Sequence, residues 1–232
     1  MGRWEPNARG RLEQAALELF QERGYARTTV EEIAARAGLT ERTFFRYFTD
    51  KREVLFWGSG ALQNVIVDAI ANASEATGPL HAVAAALEAS AAVVLQRGRE
   101  YLMTRQALIA AQAELQEREL IKLRSLASAV AHAFRRRGIA EPAASLTAEA
   151  GIAIFKIAFE RWIDDPKPRE LSHHIRASLA ELKALTAGTG TASLTSRAKK
   201  VSRRKASRST RRARHAGHNP SPARYTSPPN LN

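Results

Sequence analysis

The chain has 232 residues, of which 44% are hydrophobic and 25% are charged, a composition typical of soluble globular proteins. This length is enough for one or two domains with a sizeable core. The sequence contains no cysteine, which excludes disulfide bonds and thiolate catalysis and suits a cytoplasmic protein. We see neither a signal peptide nor an uninterrupted apolar run of about 18 residues, so we expect no association with a membrane.

Most of the positive charge lies at one end of the chain. The formal net charge is +13, and residues 187–232 contain eleven Lys and Arg and no Asp or Glu, which leaves +2 for residues 1–186. This end is rich in Gly, Ser, Thr and Pro, so we predict a disordered basic tail. Two interpretations of the tail stay open. It adds salt-dependent, sequence-independent affinity for DNA, or it is a solvated extension without a role.

Residues 1–186 show helical periodicity, and almost nothing alternates with the period of two that a strand needs. Asn7 is a predicted cap for a first helix that stops at Gly24. A long helix with Asp50 at its start is predicted over residues 51–73. The fold class is therefore all-α, with three N-terminal helices followed by a helical bundle. The later helices, with breaks marked by Gly and Pro, are predicted at 80–96, 99–115, 117–137, 143–164 and 169–186.

Residues 29–48 have the layout of a helix-turn-helix, in which two short helices are joined by a tight turn containing glycine. Thr29 and Glu32 are three residues apart, which predicts a capping box at the start of the first of these helices. Gly38 ends that helix, and Thr40 is the predicted cap of the next one.

The second of these two helices has two chemically different sides. Phe44 and Phe48 are one turn apart and are predicted to pack beneath the preceding helices. The opposite side carries Arg42, Thr43 and Arg46. A cationic, hydroxyl-bearing side suits the major groove of DNA, because arginine pairs well with guanine O6 and N7.

The other predicted contacts surround this face. Glu41 is a candidate to accept from cytosine N4, or else it serves the helix dipole. Tyr47 and Lys51 are predicted to contact phosphates, which fix orientation without conveying sequence. The starts of the two helices also attract phosphate. The predicted DNA-binding residues are Thr29, Thr40, Glu41, Arg42, Thr43, Phe45, Arg46, Tyr47 and Lys51.

Residues from about 9 to 57 resemble the N-terminal domain of the tetracycline-repressor (TetR) family of transcriptional regulators. The resemblance rests on the run AALELFQERGYARTTVEEIAARAGLTERTFFRYFTDKREVL, with its GY-x-x-T-T-V-x-x-I-A-x-x-A-G-L element, its F-x-x-Y-F pattern and Lys51. It implies an all-α homodimer that binds a palindromic operator, usually as a repressor that a ligand releases. The family commonly has tyrosine at the position of Phe45. Because phenylalanine has no hydroxyl to bond to a phosphate, we expect only ring packing on the sugar-phosphate backbone there.

The resemblance implies two domains, a DNA-binding domain at 1–50 and an effector-binding and dimerisation domain at 51–186, which the tail at 187–232 follows. In the implied dimer, the helices at 143–164 and 169–186 pair with their counterparts, although core packing explains their apolar stripes equally well. The resemblance also implies a pocket among helices four to eight for a small hydrophobic or amphipathic effector. We expect apolar and aromatic residues to line it, because such side chains dominate ligand sites. The predicted lining residues are Phe56, Trp57, Tyr101, Met103, Phe134 and Trp162.

No catalytic or metal-binding constellation is recognisable in the sequence. The histidines lack the spacing of metal ligands, and no nucleophile elbow, phosphate loop or zinc signature occurs. We therefore expect no metal, no cofactor and no enzymatic activity. The alternative to a ligand-released, sequence-specific regulator is a nonspecific or architectural nucleic-acid-binding protein driven by the tail.

Overall fold

The computed structural model describes residues 7–167 and 169–188, so most of the predicted disordered tail lies outside the described residues. Within these ranges all regular elements are helical, and the predicted all-α fold class is confirmed. The α-helices are α1 Ala8–Arg23, α2 Val30–Arg36, α3 Glu41–Tyr47, α4 Ser59–Ala71, α5 Pro79–Leu95, α6 Arg99–Ala111, α7 Ala113–Arg136, α8 Ala143–Ile163 and α9 Leu171–Thr186.

Local capping signals explain where the first helices begin and end. Asn7 Oδ1 accepts a hydrogen bond from Gly10 N at 3.1 Å and caps α1, which stops at Gly24 as predicted. The predicted capping box of α2 is also confirmed. Thr29 Oγ1 accepts from Glu32 N at 3.2 Å, and Glu32 Oε2 accepts from Thr29 N at 2.9 Å. A cap of this kind contributes about 0.5–2 kcal/mol to stability.

The predicted single helix over residues 51–73 is wrong. A 3-10 turn at Glu53–Leu55 comes first, and α4 begins only at Ser59. Val54 and Phe56, like the leucine between them, are buried in the core of the N-terminal helices. Consecutive residues of a continuous α-helix point in directions about 100° apart. Burial of three successive residues therefore departs from the one-sided pattern of a continuous amphipathic helix.

The sequence predicted a break between helices at 99–115 and 117–137, and the observed break lies a few residues earlier. Gln112, with φ −131° and ψ 117°, separates α6 from α7. Ile109 and Leu115 on either side of it both join the core of the N-terminal helices. Neither Gly nor Pro marks this position, so the residues that punctuate the other breaks give no signal for this one.

The later helices form a bundle within the compact unit that ends at Ala180; the end of α9 belongs to a second unit. α4 packs against α5 and α7, and α8 packs against the same two helices. Gly151 allows α8 to approach α5 closely, because a Cβ atom at this position would lie 2.5 Å from Val83 Cγ2.

By length and composition, the segment Glu53–Ala71 is apolar enough to cross a membrane, and α5 with α6 passes the same test as a pair bent by 99°. The first segment is broken before Ser59, and α4 has only 13 residues. Such a helix is about 20 Å long, whereas the hydrocarbon core of a bilayer is about 30 Å thick. We assign both segments to the helical bundle because they pack against its other helices.

Candidate DNA-binding face and effector cavity

α2 and α3 are joined by a tight turn at Gly38, whose φ of 64° lies in the left-handed region that favours glycine. Leu39 N donates a hydrogen bond to the Ala34 carbonyl oxygen at 2.8 Å and closes this turn. Thr40 Oγ1 accepts from Thr43 N at 3.3 Å, so it caps α3 as predicted. The turn and the cap together define where α3 begins.

α3 is held by its aromatic side and leaves its cationic side exposed. Phe44 and Phe48 are 0% and 3% exposed, and their ring centroids lie 5.3 Å apart. Their predicted burial is confirmed. Arg42 and Arg46 are exposed and Thr43 is half-buried. This helix therefore exposes two arginines and a threonine on the side opposite its buried phenylalanines.

The two remaining rings of α3 differ in exposure. Phe45 is 55% exposed, although its ring edge contacts Phe44 with the centroids 5.5 Å apart. Tyr47 is half-buried, and its hydroxyl accepts a hydrogen bond from Arg46 Nη2 at 3.1 Å. The Arg46 guanidinium lies 4.9 Å from the centroid of the same ring. Arg46 thus rests against its neighbour at the edge of the exposed face.

The other predicted contacts lie around this helix, but their polar groups are partly used within the protein. Glu41 is exposed in the first turn of α3, and Thr29 is exposed at the start of α2. Lys51 Nζ donates to the carbonyl oxygens of Tyr25 at 2.9 Å and Thr28 at 3.1 Å. Because an ammonium has three N–H groups, one is left for a phosphate. The sequence predicted a phosphate contact for Lys51 but gave no signal for these two hydrogen bonds within the fold.

A cavity of about 430 Å³ lies among the 3-10 turn and helices α4 to α8, with one side chain contributed by α1. This volume falls within the usual range of small-molecule sites. Three of the predicted lining residues, Phe56, Trp57 and Tyr101, border the cavity.

The three other predicted lining residues lie elsewhere, and the prediction is wrong for them. Met103 is 45% exposed on α6, whereas Phe134 and Trp162 are 0% and 4% exposed in the packed core. None of them borders the cavity. Sequence periodicity cannot separate these cases, because a large apolar side chain has the same helical spacing whether it fills the core or lines a cavity.

Glu13 of α1 is a buried carboxylate at the cavity wall, with 6% of its surface exposed. It accepts hydrogen bonds from Trp57 Nε1 at 2.6 Å, from the Tyr101 hydroxyl and from Arg97 Nη1. The Arg97 guanidinium also lies 4.2 Å from the Trp57 ring centroid. Burial raises the pKa of Tyr101 and lowers that of Arg97. The cavity therefore combines aromatic surface with a buried ion pair.

A second group of charges lies at the cavity wall on α6 and α7. Arg105 Nε donates to the Leu55 carbonyl oxygen at 2.7 Å, and Arg105 Nη1 is 3.6 Å from Glu119. Burial lowers the pKa of this arginine. Lys122 Nζ donates to Glu53 Oε2 at 2.9 Å. These contacts hold the segment between α3 and α4 against the wall of the cavity.

Sequence reasoning missed these cavity charges, although a signal for two of them is present. Glu13 falls on the same apolar stripe of α1 as Leu17 and Phe20, and Arg105 lies one turn before the buried Ile109. A charge on a buried stripe is costly unless it is paired. Such positions therefore predict either an internal ion pair or a ligand site.

Arg9 contacts both α3 and the cavity wall. Its guanidinium carbon lies 5.3 Å from the ring centroid of Tyr47 and 5.0 Å from that of Trp57. Tyr47 is the last residue of α3, and Trp57 lines the cavity. One exposed side chain near the start of α1 thus touches both regions.

Comparison with known proteins matches both halves of the chain. Residues 13–56 match the family of bacterial regulatory proteins, tetR family, and residues 77–187 match the MftR C-terminal domain. HTH-type transcriptional regulator TcmR of Streptomyces glaucescens is 38% identical over 81 residues, which cover 35% of this chain and 36% of TcmR. The match thus spans little more than a third of that relative.

Solved structures share the fold at low sequence identity. A Syntrophomonas wolfei protein assigned to the TetR family is 19% identical and has a TM-score of 0.56, with 78% of this chain and 95% of that one covered. SmeT, the repressor of the Stenotrophomonas maltophilia multidrug efflux pump SmeDEF, is 22% identical with a TM-score of 0.50, and the match covers 77% and 89%. The helix-turn-helix, the helical bundle and the two family matches lead to one assignment: the chain belongs to the TetR family of bacterial transcriptional regulators.

Proposed function

We propose that this protein is a sequence-specific DNA-binding repressor that acts in the cytoplasm. The observation that carries the proposal is the two-sided α3, which buries Phe44 and Phe48 and exposes Arg42 and Arg46. A helix held in this way can enter the major groove with its arginines towards guanine O6 and N7.

The neighbouring residues have complementary roles in the proposal. Thr43 contacts a base through its hydroxyl or methyl group, and Glu41 accepts from cytosine N4. The phosphate contacts come from Tyr47, the remaining N–H of Lys51, and the hydroxyls of the two helix caps, Thr29 and Thr40. The Phe45 ring, 55% exposed, packs on the sugar-phosphate backbone.

The proposed active form is a homodimer in which α8 and α9 pair with their counterparts. On α8, Leu146 is 67% exposed and Ile157 is 43% exposed. Ala150 and Ala153 lie between them at helical spacing and continue the stripe. An exposed apolar stripe of this length supports pairing with a second copy. A two-fold symmetric dimer binds two half-sites of opposite orientation, so the operator is palindromic.

The proposed effector is a small hydrophobic or amphipathic molecule that binds in the cavity and releases the repressor. Release is a population shift. A molecule that binds better to the dimer with one spacing of its two α3 helices lowers the population of the spacing that fits DNA, and DNA binding weakens. Support comes from the segment between α3 and α4, because Arg105 and Lys122 of the cavity wall hold Leu55 and Glu53 in it.

Selection of bound sequences from random duplex DNA tests the proposal. We expect the full chain to enrich a palindrome with half-sites about one helical turn apart. A compound that dissociates this complex identifies an effector, whereas one that binds tightly without changing operator affinity contradicts the release mechanism.

The alternative function is nonspecific or architectural nucleic-acid binding. The eleven cations in residues 187–232 favour it, because each can neutralise a phosphate. In that case the selection enriches no sequence, and removal of the tail abolishes most of the affinity.

A further inference from the structure

The charges at the cavity wall do not balance. Among the residues that the structure describes, the lining contains the cations Arg97, Arg105 and Lys122, but only two carboxylates, Glu13 and Glu119. Outside the lining, Glu53 pairs with both Lys122 and Arg118. Glu53 and Arg118 add one negative and one positive charge, so the excess of one cation remains. A partly enclosed wall with one cation in excess favours a ligand with one negative charge.

Arg97 is the cation best placed to bind an anion. Within the described part of the chain, one of its five N–H groups donates a hydrogen bond, to Glu13, and the other four make none. Its side chain is 25% exposed, and burial lowers its pKa. Glu13 already compensates part of this charge, and an anion on the other N–H groups of the guanidinium would stabilise the charged form further.

Glu13 would stay satisfied if Arg97 turned towards a ligand. Its carboxylate also accepts hydrogen bonds from Trp57 Nε1 and from the Tyr101 hydroxyl. The two remaining donors keep the carboxylate hydrogen-bonded and so reduce the cost of separating it from Arg97. Trp57 and Tyr101 also occupy the Glu13 carboxylate, to which a cationic ligand would have to bind. This favours an anionic ligand over a cationic one.

The rest of the lining is suited to an apolar body. Phe155 and Phe159 of α8 stack with their ring centroids 6.1 Å apart and border the cavity. Leu123, Leu126 and Val94 border it as well. The volume of about 430 Å³ limits this body to a compact molecule.

We propose that the cavity binds a compact apolar or aromatic molecule with a single anionic group such as a carboxylate, and that Arg97 binds this group. The proposal rests on the proposed function, because it names the chemical class of the effector. It also supplies a route to the DNA-binding helix. An anion that draws Arg97 away from Trp57 changes the packing of that ring, which Arg9 contacts together with Tyr47.

Calorimetric titration of the full chain with matched probes tests the ligand class. The probes are decanoate, decanol and decylamine, with phenylbutyrate and phenylbutanol as an aromatic pair. We expect each acid to bind at least roughly tenfold more tightly than its alcohol, the size expected for one charge-assisted hydrogen bond. Decylamine should bind no better than decanol. Equal affinity for acid and alcohol, tighter binding of the amine, or no binding of either acid overturns the proposal.

Substitutions at Arg97 test the residue itself. Arg97→Met should abolish the preference for acid over alcohol, while Arg97→Lys, which keeps the charge, should retain part of it. Arg124→Met is the matched control, because Arg124 is exposed on α7 and does not border the cavity. Circular dichroism verifies that each variant is folded. Retention of the full acid preference by Arg97→Met overturns the assignment.

The route through Arg9 is tested with Arg9→Met. The acid should bind this variant about as tightly as the original chain, but it should reduce affinity for a selected operator by a smaller factor. An unchanged reduction overturns the route. If no operator can be selected, the proposed function fails, whereas the calorimetric titration still decides the ligand class.

Discussion

The rings of Phe44 and Phe48 pack 5.3 Å apart, centroid to centroid, beneath the helix that carries Arg42 and Arg46. Phe44 is fully buried, so Phe44→Ala should lower the free energy of unfolding by about 3–5 kcal/mol. Urea denaturation measures this loss. Phe45→Ala is the matched control, because Phe45 is 55% exposed and should cost no more than about 1 kcal/mol. Equal decreases in the free energy of unfolding for the two variants would contradict the claim that burial of Phe44 holds α3 in place.

Phe45 also offers a test by gain of a contact. In Phe45→Tyr, an added hydroxyl at an exposed ring could bond to a phosphate and should raise DNA affinity by about 0.5–1.5 kcal/mol. The gain should be similar for operator and random duplex, because phosphate contacts convey no sequence. Fluorescence anisotropy with both duplexes measures it. A gain confined to the operator would instead indicate that this position contacts a base.

The basic tail should influence affinity more than sequence preference. Removing residues 187–232 takes away eleven Lys and Arg. The slope of log affinity against log salt concentration should become shallower by about 0.9 for each phosphate that the tail neutralises. The ranking of operator variants should stay the same. Loss of this ranking together with the affinity would favour the architectural alternative.

Close packing of α5 and α8 depends on Gly151. A Cβ atom there would lie 2.5 Å from Val83 Cγ2, so Gly151→Ala should destabilise the bundle by about 1–3 kcal/mol. Gly60→Ala in α4 is the control, since its added Cβ has no heavy atom of the described residues within 4 Å apart from its chain neighbours and the nearby α4 backbone. That change should be neutral or stabilise by up to about 1 kcal/mol. Thermal unfolding compares the two variants, and a neutral Gly151→Ala would contradict the close packing.

Local signals predicted the N-terminal helices well because a cap acts within one helical turn. Asn7, Thr29 and Thr40 lie where the sequence pattern indicated, with the predicted acceptor roles. The break before α4 was not predictable in this way. It follows from burial of Val54 and Phe56 in a core made by distant residues.

The candidate sites were predictable to different degrees. Helical periodicity predicts the exposed face of α3 once Phe44 is assigned to the buried side of the helix. The cavity depends on which helices meet, so Phe134 and Trp162 could not be separated from true lining residues. The role of Lys51 in binding two carbonyl oxygens likewise needs the tertiary fold.

The most direct test of the account measures base preference at each operator position for the full chain, Arg42→Ala and Arg46→Ala. We predict that each substitution relaxes the preference at one position per half-site by about 1–3 kcal/mol and leaves the other positions unchanged. Arg27→Ala, a change of an exposed arginine outside α3, should not relax any position. Uniform weakening across all sequences by the two α3 substitutions would contradict the claim that this helix reads the bases.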